Sequence, residues 1–228
     1  MTLIRLPRAL AKDAFVYSRL ALLALLAAPS IVMAQQGINV YACGSLNPPG
    51  QYGPYDYRTI TSSQRYLVES AHFTPDVETL RKGNTAAVAG PDLDYTLRAF
   101  PNNPRALLAV SRYATKMKVD HAQGLRYSAE CYFERALRFV PDDPMPHMLY
   151  ASYLKDRKRN VEARTQLDEA EKVRGDPNNA DFDYNLGLLY FDLGAYDKSL
   201  EAARRAYALG AQLPALKNKL KASGGWKE

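Results

Sequence analysis

The clearest structural signal in the chain is YNLGLLYFDLGAYDKSLEAARRAYALG, residues 184–210. Its apolar residues recur every three to four positions, which is the spacing of an amphipathic helix. Gly194 interrupts this spacing near the middle of the stretch and separates two helices. Gly187 and Ala206 are small enough to let those two helices approach closely. The stretch therefore predicts a pair of helices joined by a tight turn.

Short motifs rich in proline and polar residues recur upstream of this pair. The motifs FPNNP, VPDDP and GDPNNA contain Pro101, Pro141 and Pro177, which lie 40 and 36 residues apart. A proline cannot continue the preceding helix, and the Asn or Asp beside it can cap the next one. A period of this length is typical of helical repeats.

At this point the chain resembles the tetratricopeptide repeat (TPR) family. Leu186, Gly187 and Tyr190 match the family's L-G-x-x-Y pattern in the last repeat, while Ala151 replaces the glycine in the middle repeat. Small residues of the second helix recur in all three repeats, at Ala129, Ala136, Ala163, Ala170, Ser199, Ala203 and Ala206. The first repeat departs furthest, since KVDHAQGLRY contains about six extra residues. The resemblance covers roughly residues 104–210.

The resemblance implies an all-α fold, a right-handed solenoid of about three helical hairpins in residues 104–212. A degenerate leading unit is expected in residues 62–103, where Thr61-x-x-Gln64 is a capping-box pattern. A capping helix is expected in residues 213–228, because a solenoid otherwise leaves an apolar face in water. Leu216 and Leu220 lie at helical spacing in that segment.

The first 34 residues have the pattern of a secretory signal peptide. Four basic residues precede an apolar run, LALLALLAAPSIVMA, and Val32-Met33-Ala34 suits cleavage before Gln35. The run is short for a membrane span, and no later segment is apolar enough to be one. Removing the leader lowers the formal charge from +6 to about +3, so a nucleic-acid partner is not expected. The sequence predicts export to the periplasm or the cell exterior.

An extended arm rich in proline, glycine and tyrosine is expected in residues 35–61. Its candidate contact residues are Tyr52, Tyr55 and Tyr57. Cys43 at the root of this arm and Cys131 are the two cysteines of the chain, and in an exported protein they favour a disulfide over two buried thiols. The arm could cover the first helices of its own chain, or it could dock on a neighbouring copy.

Motifs of catalysis and cofactor binding are absent from the sequence. It contains neither a phosphate-binding glycine loop nor a G-x-S-x-G nucleophile elbow. His72, His121 and His147 are scattered, without metal-ligand spacing. The pairs Asp92/Asp94 and Asp142/Asp143 are interpreted as helix caps. We expect a non-enzymatic protein without a cofactor or metal.

The TPR resemblance implies a concave groove lined by the first helix of each repeat. The implied groove positions are Arg105, Leu108, Arg112, Lys116, Met145, Met148, Ser152, Lys155, Tyr184, Leu188, Phe191 and Asp192. Such a groove would be basic at one end and aromatic at the other. The same aromatic residues could instead pack on a neighbouring helix, as large apolar side chains usually do.

Two functions of different classes follow. The first is an exported scaffold that binds a peptide segment of a partner protein in the groove. The second is a self-assembling subunit of an extracellular or cell-surface filament. In the filament, the arm of each copy would dock on the next copy.

Overall fold

A computed structural model describes residues 43–226; the predicted leader, residues 1–34, and the first part of the arm lie outside this range. The described residues form ten α-helices and no strand, which confirms the all-α expectation. None of these ten helices is both long and apolar enough to cross a membrane. The helices are Ser62–His72 (α1), Pro75–Glu78 (α2), Gly90–Ala99 (α3), Pro104–Met117 (α4), Ala129–Phe139 (α5), Pro144–Asp156 (α6), Asn160–Lys172 (α7), Ala180–Asp192 (α8), Tyr196–Ala208 (α9) and Ala215–Ala222 (α10).

Side-chain hydrogen bonds cap the first turn of five of these helices, namely α1, α4, α5, α6 and α8. Thr61 and Gln64 form both halves of the predicted capping box at α1. The last polar residue of each proline motif caps the helix that follows it. The cap bonds join Asn103 to the Arg105 N–H (3.1 Å), Asp143 to the Met145 N–H (3.0 Å) and Asn179 to the Phe182 N–H (2.9 Å). Each bond satisfies an N–H group that has no partner inside the helix.

The turns inside the α6–α7 and α8–α9 pairs have the same form. Gly194 has φ +73° and Lys158 has φ +64°, so both adopt the left-handed conformation. The next residue then donates its N–H back into the first helix, Ala195 to Tyr190 O at 2.9 Å and Arg159 to Leu154 O at 3.0 Å. Glycine adopts this conformation without steric cost, which is why Gly194 marked its turn in the sequence and Lys158 did not.

The helices pack mainly on helices that are near to them along the chain. Helix α4 packs on α6, α6 packs on α8, and each of these helices also packs on the helix that follows it. Helices α1 and α3 pack together, α3 continues onto α4, and α10 packs on both α8 and α9. One apolar core runs from Phe73 to Ala202, and a second one joins α8, α9 and α10.

Gly187 lies at the junction of α8, α9 and α10. A Cβ atom at this position would be 2.7 Å from Leu216 Cδ2 of α10 and 3.3 Å from Ser199 O of α9. The close approach expected of Gly187 therefore involves α10 as well as the paired helix. Ser199 also donates a hydrogen bond to Gly187 O at 2.8 Å, which joins α8 to α9.

Residues 43–61 contain no helix or strand and lie against α1, α3 and α5. Cys43 and Cys131 form the predicted disulfide. Buried Arg135 of α5 donates from Nη1 to the Cys43 and Ser45 carbonyls, at 2.8 and 2.9 Å. Further along, the Tyr55 N–H donates to Ala99 O at 2.9 Å. Main-chain groups thus provide much of the attachment of this segment.

Candidate functional site

A groove opens between α4 and α6. It has a volume of about 460 Å³ and is lined by Leu108, Ser111, Arg112, Thr115, Lys116, Phe133, Leu149, Ser152 and Asp156. Leu108, Leu149 and the buried Phe133 supply its apolar surface. Helix α4 adds two cations and two hydroxyls, and α6 adds the Ser152 hydroxyl and the Asp156 carboxylate. We call this surface the α4–α6 groove. An extended chain that entered it would meet apolar and basic groups together.

Two cations distinguish the α4 wall of the groove. Arg112 is exposed, and within residues 43–226 it makes no hydrogen bond or ion pair of its own. Lys116 lies one turn further on and donates from Nζ to Leu80 O at 3.0 Å. Both groups can therefore receive a carboxylate without first breaking an ion pair.

The α4–α6 groove continues past the end of α4. A second depression of about 290 Å³ shares Thr115 and Asp156 with the groove and adds Lys118, Val119 and Asp120. These last three residues belong to the loop between α4 and α5, where the sequence carries its extra residues. The insertion thus lengthens the open surface.

Arg105 was predicted to line the groove, but it faces α2 and α1 instead. Its Nε donates to Glu78 at 2.8 Å, and Nη1 lies 3.9 Å from Glu69. The hydrogen bond from Arg105 lowers the pKa of Glu78, and the nearby charge of Arg112 acts in the same direction. Because its charge is paired with carboxylates of α2 and α1, this arginine serves the helical scaffold.

Of the positions predicted on α6, Ser152 lines the groove, and two others lie one residue away from residues that line it. Leu149 and Asp156 line the groove, where the prediction has Met148 and Lys155. Met148 is 4% exposed and belongs to the apolar core. Lys155 points toward α8, with Nζ 3.6 Å from Asp192.

Met145 lies at the start of α6 and lines a different depression, of about 290 Å³, beside the proline motifs. Tyr57, Arg58 and Asn102 contribute to this depression from the other side. Met145 is therefore separated from the α4–α6 groove.

The aromatic end predicted for the groove is covered by α10. Tyr184 is 5% exposed, and Leu188 and Phe191 pack in the same cluster with Leu216 and Leu220 of α10. The Lys219 Nζ lies 5.2 Å from the Phe191 ring centroid and 2.8 Å from Asp192. The capping helix thus occupies the face of α8 that the prediction assigned to a partner.

The three tyrosines of residues 43–61 pack on their own chain. Tyr52, Tyr55 and Tyr57 lie against Val68 of α1 and Phe100 at the end of α3. Tyr57 also donates from its hydroxyl to Glu69 at 2.8 Å. These contacts bury much of the aromatic surface that docking on a neighbouring copy would require.

Of the four acidic residues interpreted as helix caps, one caps a helix and the other three bind neighbouring groups. Asp143 caps α6, and exposed Asp142 binds Arg58 at 3.1 Å. Asp92 and Asp94 lie inside α3 and do not cap it. Asp92 accepts hydrogen bonds from residues 84 and 85, and Asp94 accepts one from the Tyr132 hydroxyl at 2.6 Å. These carboxylates hold loops and neighbouring helices in place.

Comparison with known proteins returned no match, neither to a protein-family model nor to a curated protein.

Proposed function

We propose that this chain is an exported, non-enzymatic, TPR-like solenoid that binds a segment of a partner protein in the α4–α6 groove. The observation that carries the proposal is the composition of that groove. It combines an apolar floor with Arg112 and Lys116 on one wall, and neither cation forms a hydrogen bond or ion pair with a carboxylate of the described residues. An extended segment with apolar and acidic side chains would suit it.

Helix order supports the family and solenoid parts of this proposal. The first helices α4, α6 and α8 pack on one another in sequence, and each is followed by its paired helix. Repeats that contact only their neighbours are the defining property of solenoids. The small residues Ala151 and Gly187 are both fully or nearly fully buried at helix contacts, as the TPR pattern requires.

The disulfide supports the proposal of export. Disulfides persist in oxidising compartments and are rare in the cytosol. The Cys43–Cys131 bond also suits a chain whose first 34 residues have the pattern of a signal peptide.

Site-specific photocrosslinking tests the groove. A benzoylphenylalanine at Ser111, inside the groove, should capture a partner in cells that export the protein. The same group at Thr165, on the exposed surface of α7, is the matched control. Charge reversal by R112E/K116E should abolish the Ser111 product, whereas reversal at exposed Arg204 and Lys172 should not. Equal capture at Ser111 and Thr165, or capture unaffected by R112E/K116E, would exclude the groove.

The filament remains the second proposal for the function. It requires the arm to leave its own chain, and the contacts of Tyr52, Tyr55 and Tyr57 oppose that step. Size-exclusion chromatography of chains with and without residues 35–61 separates the two proposals. Assembly that depends on those residues would favour the filament over the peptide-binding scaffold.

A further inference from the structure

Helix α1 presents an uncharged face to solvent. Tyr66 is 71% exposed and Leu67 is 62% exposed. The full set of exposed residues on α1 is Ser62, Ser63, Tyr66, Leu67 and Ser70. We call Ser63, Tyr66, Leu67 and Ser70 the α1 stripe, because their spacing places them along one side of the helix.

The charged residues of α1 turn away from this stripe. The Arg65 guanidinium lies 4.5 Å from the centroid of the Tyr57 ring, and Glu69 accepts a hydrogen bond from the Tyr57 hydroxyl. Both charges are thereby engaged by residue 57 of the same chain. What remains for solvent is two large side chains flanked by hydroxyls.

Other helices with comparable exposure carry charge on their exposed surface. Val161 of α7 is 82% exposed, yet exposed Glu162 and Arg164 accompany it. The exposed residues of α4 include Arg105, Arg112 and Lys116, those of α9 include Asp197, Glu201 and Arg204, and those of α10 include Lys219 and Lys221. In a chain with 24% charged residues, a neutral exposed helix face is a specific feature. Depletion of charge is typical of the centre of a protein interface.

The α1 stripe has the same chemical order in both directions. Read from either end, it is serine, a large side chain, a large side chain and serine, with spacings of three, one and three residues. If two copies of α1 packed antiparallel about an axis between Tyr66 and Leu67, each Ser63 would face Ser70 of the other copy. Each Tyr66 would then face the other Leu67. A twofold interface requires this self-complementarity.

We propose that the α1 stripe is the interface of a homodimer in which two α1 helices pack antiparallel about a twofold axis. A second copy suits this surface because a hydroxyl both donates and accepts hydrogen bonds, so serine can pair with serine. The absence of exposed charge on α1 removes the like-charge repulsion that identical surfaces would otherwise meet. Within residues 43–226, α3 is the main helical neighbour of α1, and the four residues of the stripe are exposed on the side away from it.

The dimer is expected to be weak. Eleven residues of helix span about 16 Å, so one such contact buries less than the roughly 1,200 Å² of a standard stable interface. Association should therefore depend on concentration. Helix α1 contributes no residue to the lining of the α4–α6 groove, so dimerisation leaves that groove open.

Sedimentation equilibrium of the full chain over a concentration series tests the proposal. The wild-type protein should shift reversibly from monomer to dimer. L67E places two like charges beside the twofold axis and should raise the dissociation constant at least about tenfold. V161E adds the same charge at an apolar position of α7 that is even more exposed, and it should leave the constant unchanged. Two results would overturn the proposal. One is a protein that stays monomeric at about 1 mM, and the other is a dimer whose dissociation constant is not changed by L67E.

Crosslinking tests the antiparallel arrangement. S63C and S70C variants are mixed and treated with a short bis-maleimide, which leaves the native disulfide intact. Antiparallel packing predicts mainly crosslinks between residue 63 of one copy and residue 70 of the other. A predominance of 63–63 and 70–70 products would overturn it.

Discussion

Asn102 shows how much a single residue of a repeated motif can do. It is 1% exposed and accepts a hydrogen bond from the Tyr57 N–H at 2.9 Å. Its amide donates to Asp56 at 2.7 Å and to Asp143 at 2.8 Å. One side chain thereby joins the segment before α1, the loop before α4 and the cap of α6. The neighbouring Asn103 performs the capping that the motif predicts.

Replacing this asparagine tests its structural role. N102A leaves the buried Asp143 carboxylate and the Tyr57 N–H short of a partner, which should lower the free energy of unfolding by about 1–3 kcal/mol. Asn178 occupies the corresponding place in GDPNNA but is exposed. N178A should therefore change stability by less than about 0.5 kcal/mol. Urea unfolding of both variants makes the comparison, and equal stabilities would refute the role of Asn102.

Asp92 gives the fold a pH dependence. Burial by itself raises the pKa of this carboxyl, but hydrogen bonds from Thr85, Asn84 and His72 outweigh burial and hold the pKa below its ordinary value. A lowered pKa in the folded state means that the stabilisation is present above about pH 4, the ordinary value, and is lost as the pH falls through the folded value.

The D92N variant should remove this contribution. The side-chain amide of this variant has one acceptor oxygen and cannot accept all the hydrogen bonds that the Asp92 carboxylate accepts. We therefore expect a loss of about 1–3 kcal/mol in the free energy of unfolding at pH 7. The difference from wild type should shrink as the pH is lowered from 5 to 2.5. D197N, at an exposed position of α9, is the control. A constant difference between D92N and wild type across this range would contradict the assignment.

At the scale of the element, α10 completes the second apolar core. Leu216 and Leu220 are both fully buried, next to Tyr184 and Ala203. L216S/L220S should detach α10, because the burial of two leucine side chains would no longer offset the entropy cost of ordering an eight-residue helix. Hydrogen exchange should then show loss of protection in α10, while A215S/A222S, at exposed positions, keeps it. Unchanged protection in L216S/L220S would show that α10 is held by other contacts.

The helices were predictable from sequence where local chemistry sets their ends, as at Thr61, Asn103 and Gly194. The register of the α4–α6 groove was only half predictable. Helix α6, PMPHMLYASYLKD, is apolar on several sides, so its spacing fits both Met148 and Leu149 as groove residues. Phe133 enters the groove from the second helix of its repeat, and α10 covers Tyr184 from a distant part of the sequence. Neither the entry of Phe133 into the groove nor the cover over Tyr184 can be recognised from the local sequence.

At the scale of the whole molecule, the disulfide divides the chain into two parts. The loop that it closes spans 88 residues and contains α1 to α4, whereas α6 to α10 lie outside it. A cross-link stabilises mainly by restricting the unfolded chain, and for a loop of this length the effect is at most about 4–5 kcal/mol. The disulfide is therefore expected to stabilise mainly the N-terminal helices and residues 43–61.

The C43S/C131S variant should lose about 2–4 kcal/mol in the free energy of unfolding, the usual contribution of a native disulfide. Relative to wild type, amide hydrogen exchange should accelerate more in α1 to α4 than in α8 and α9. Only the first group of helices lies within the loop that the disulfide closes. The Tyr55 N–H should remain protected longer than residues 43–47, since its bond to Ala99 O is independent of the cysteines. Simultaneous loss of protection in both parts would show that the molecule unfolds as one cooperative unit, with the disulfide stabilising all ten helices alike.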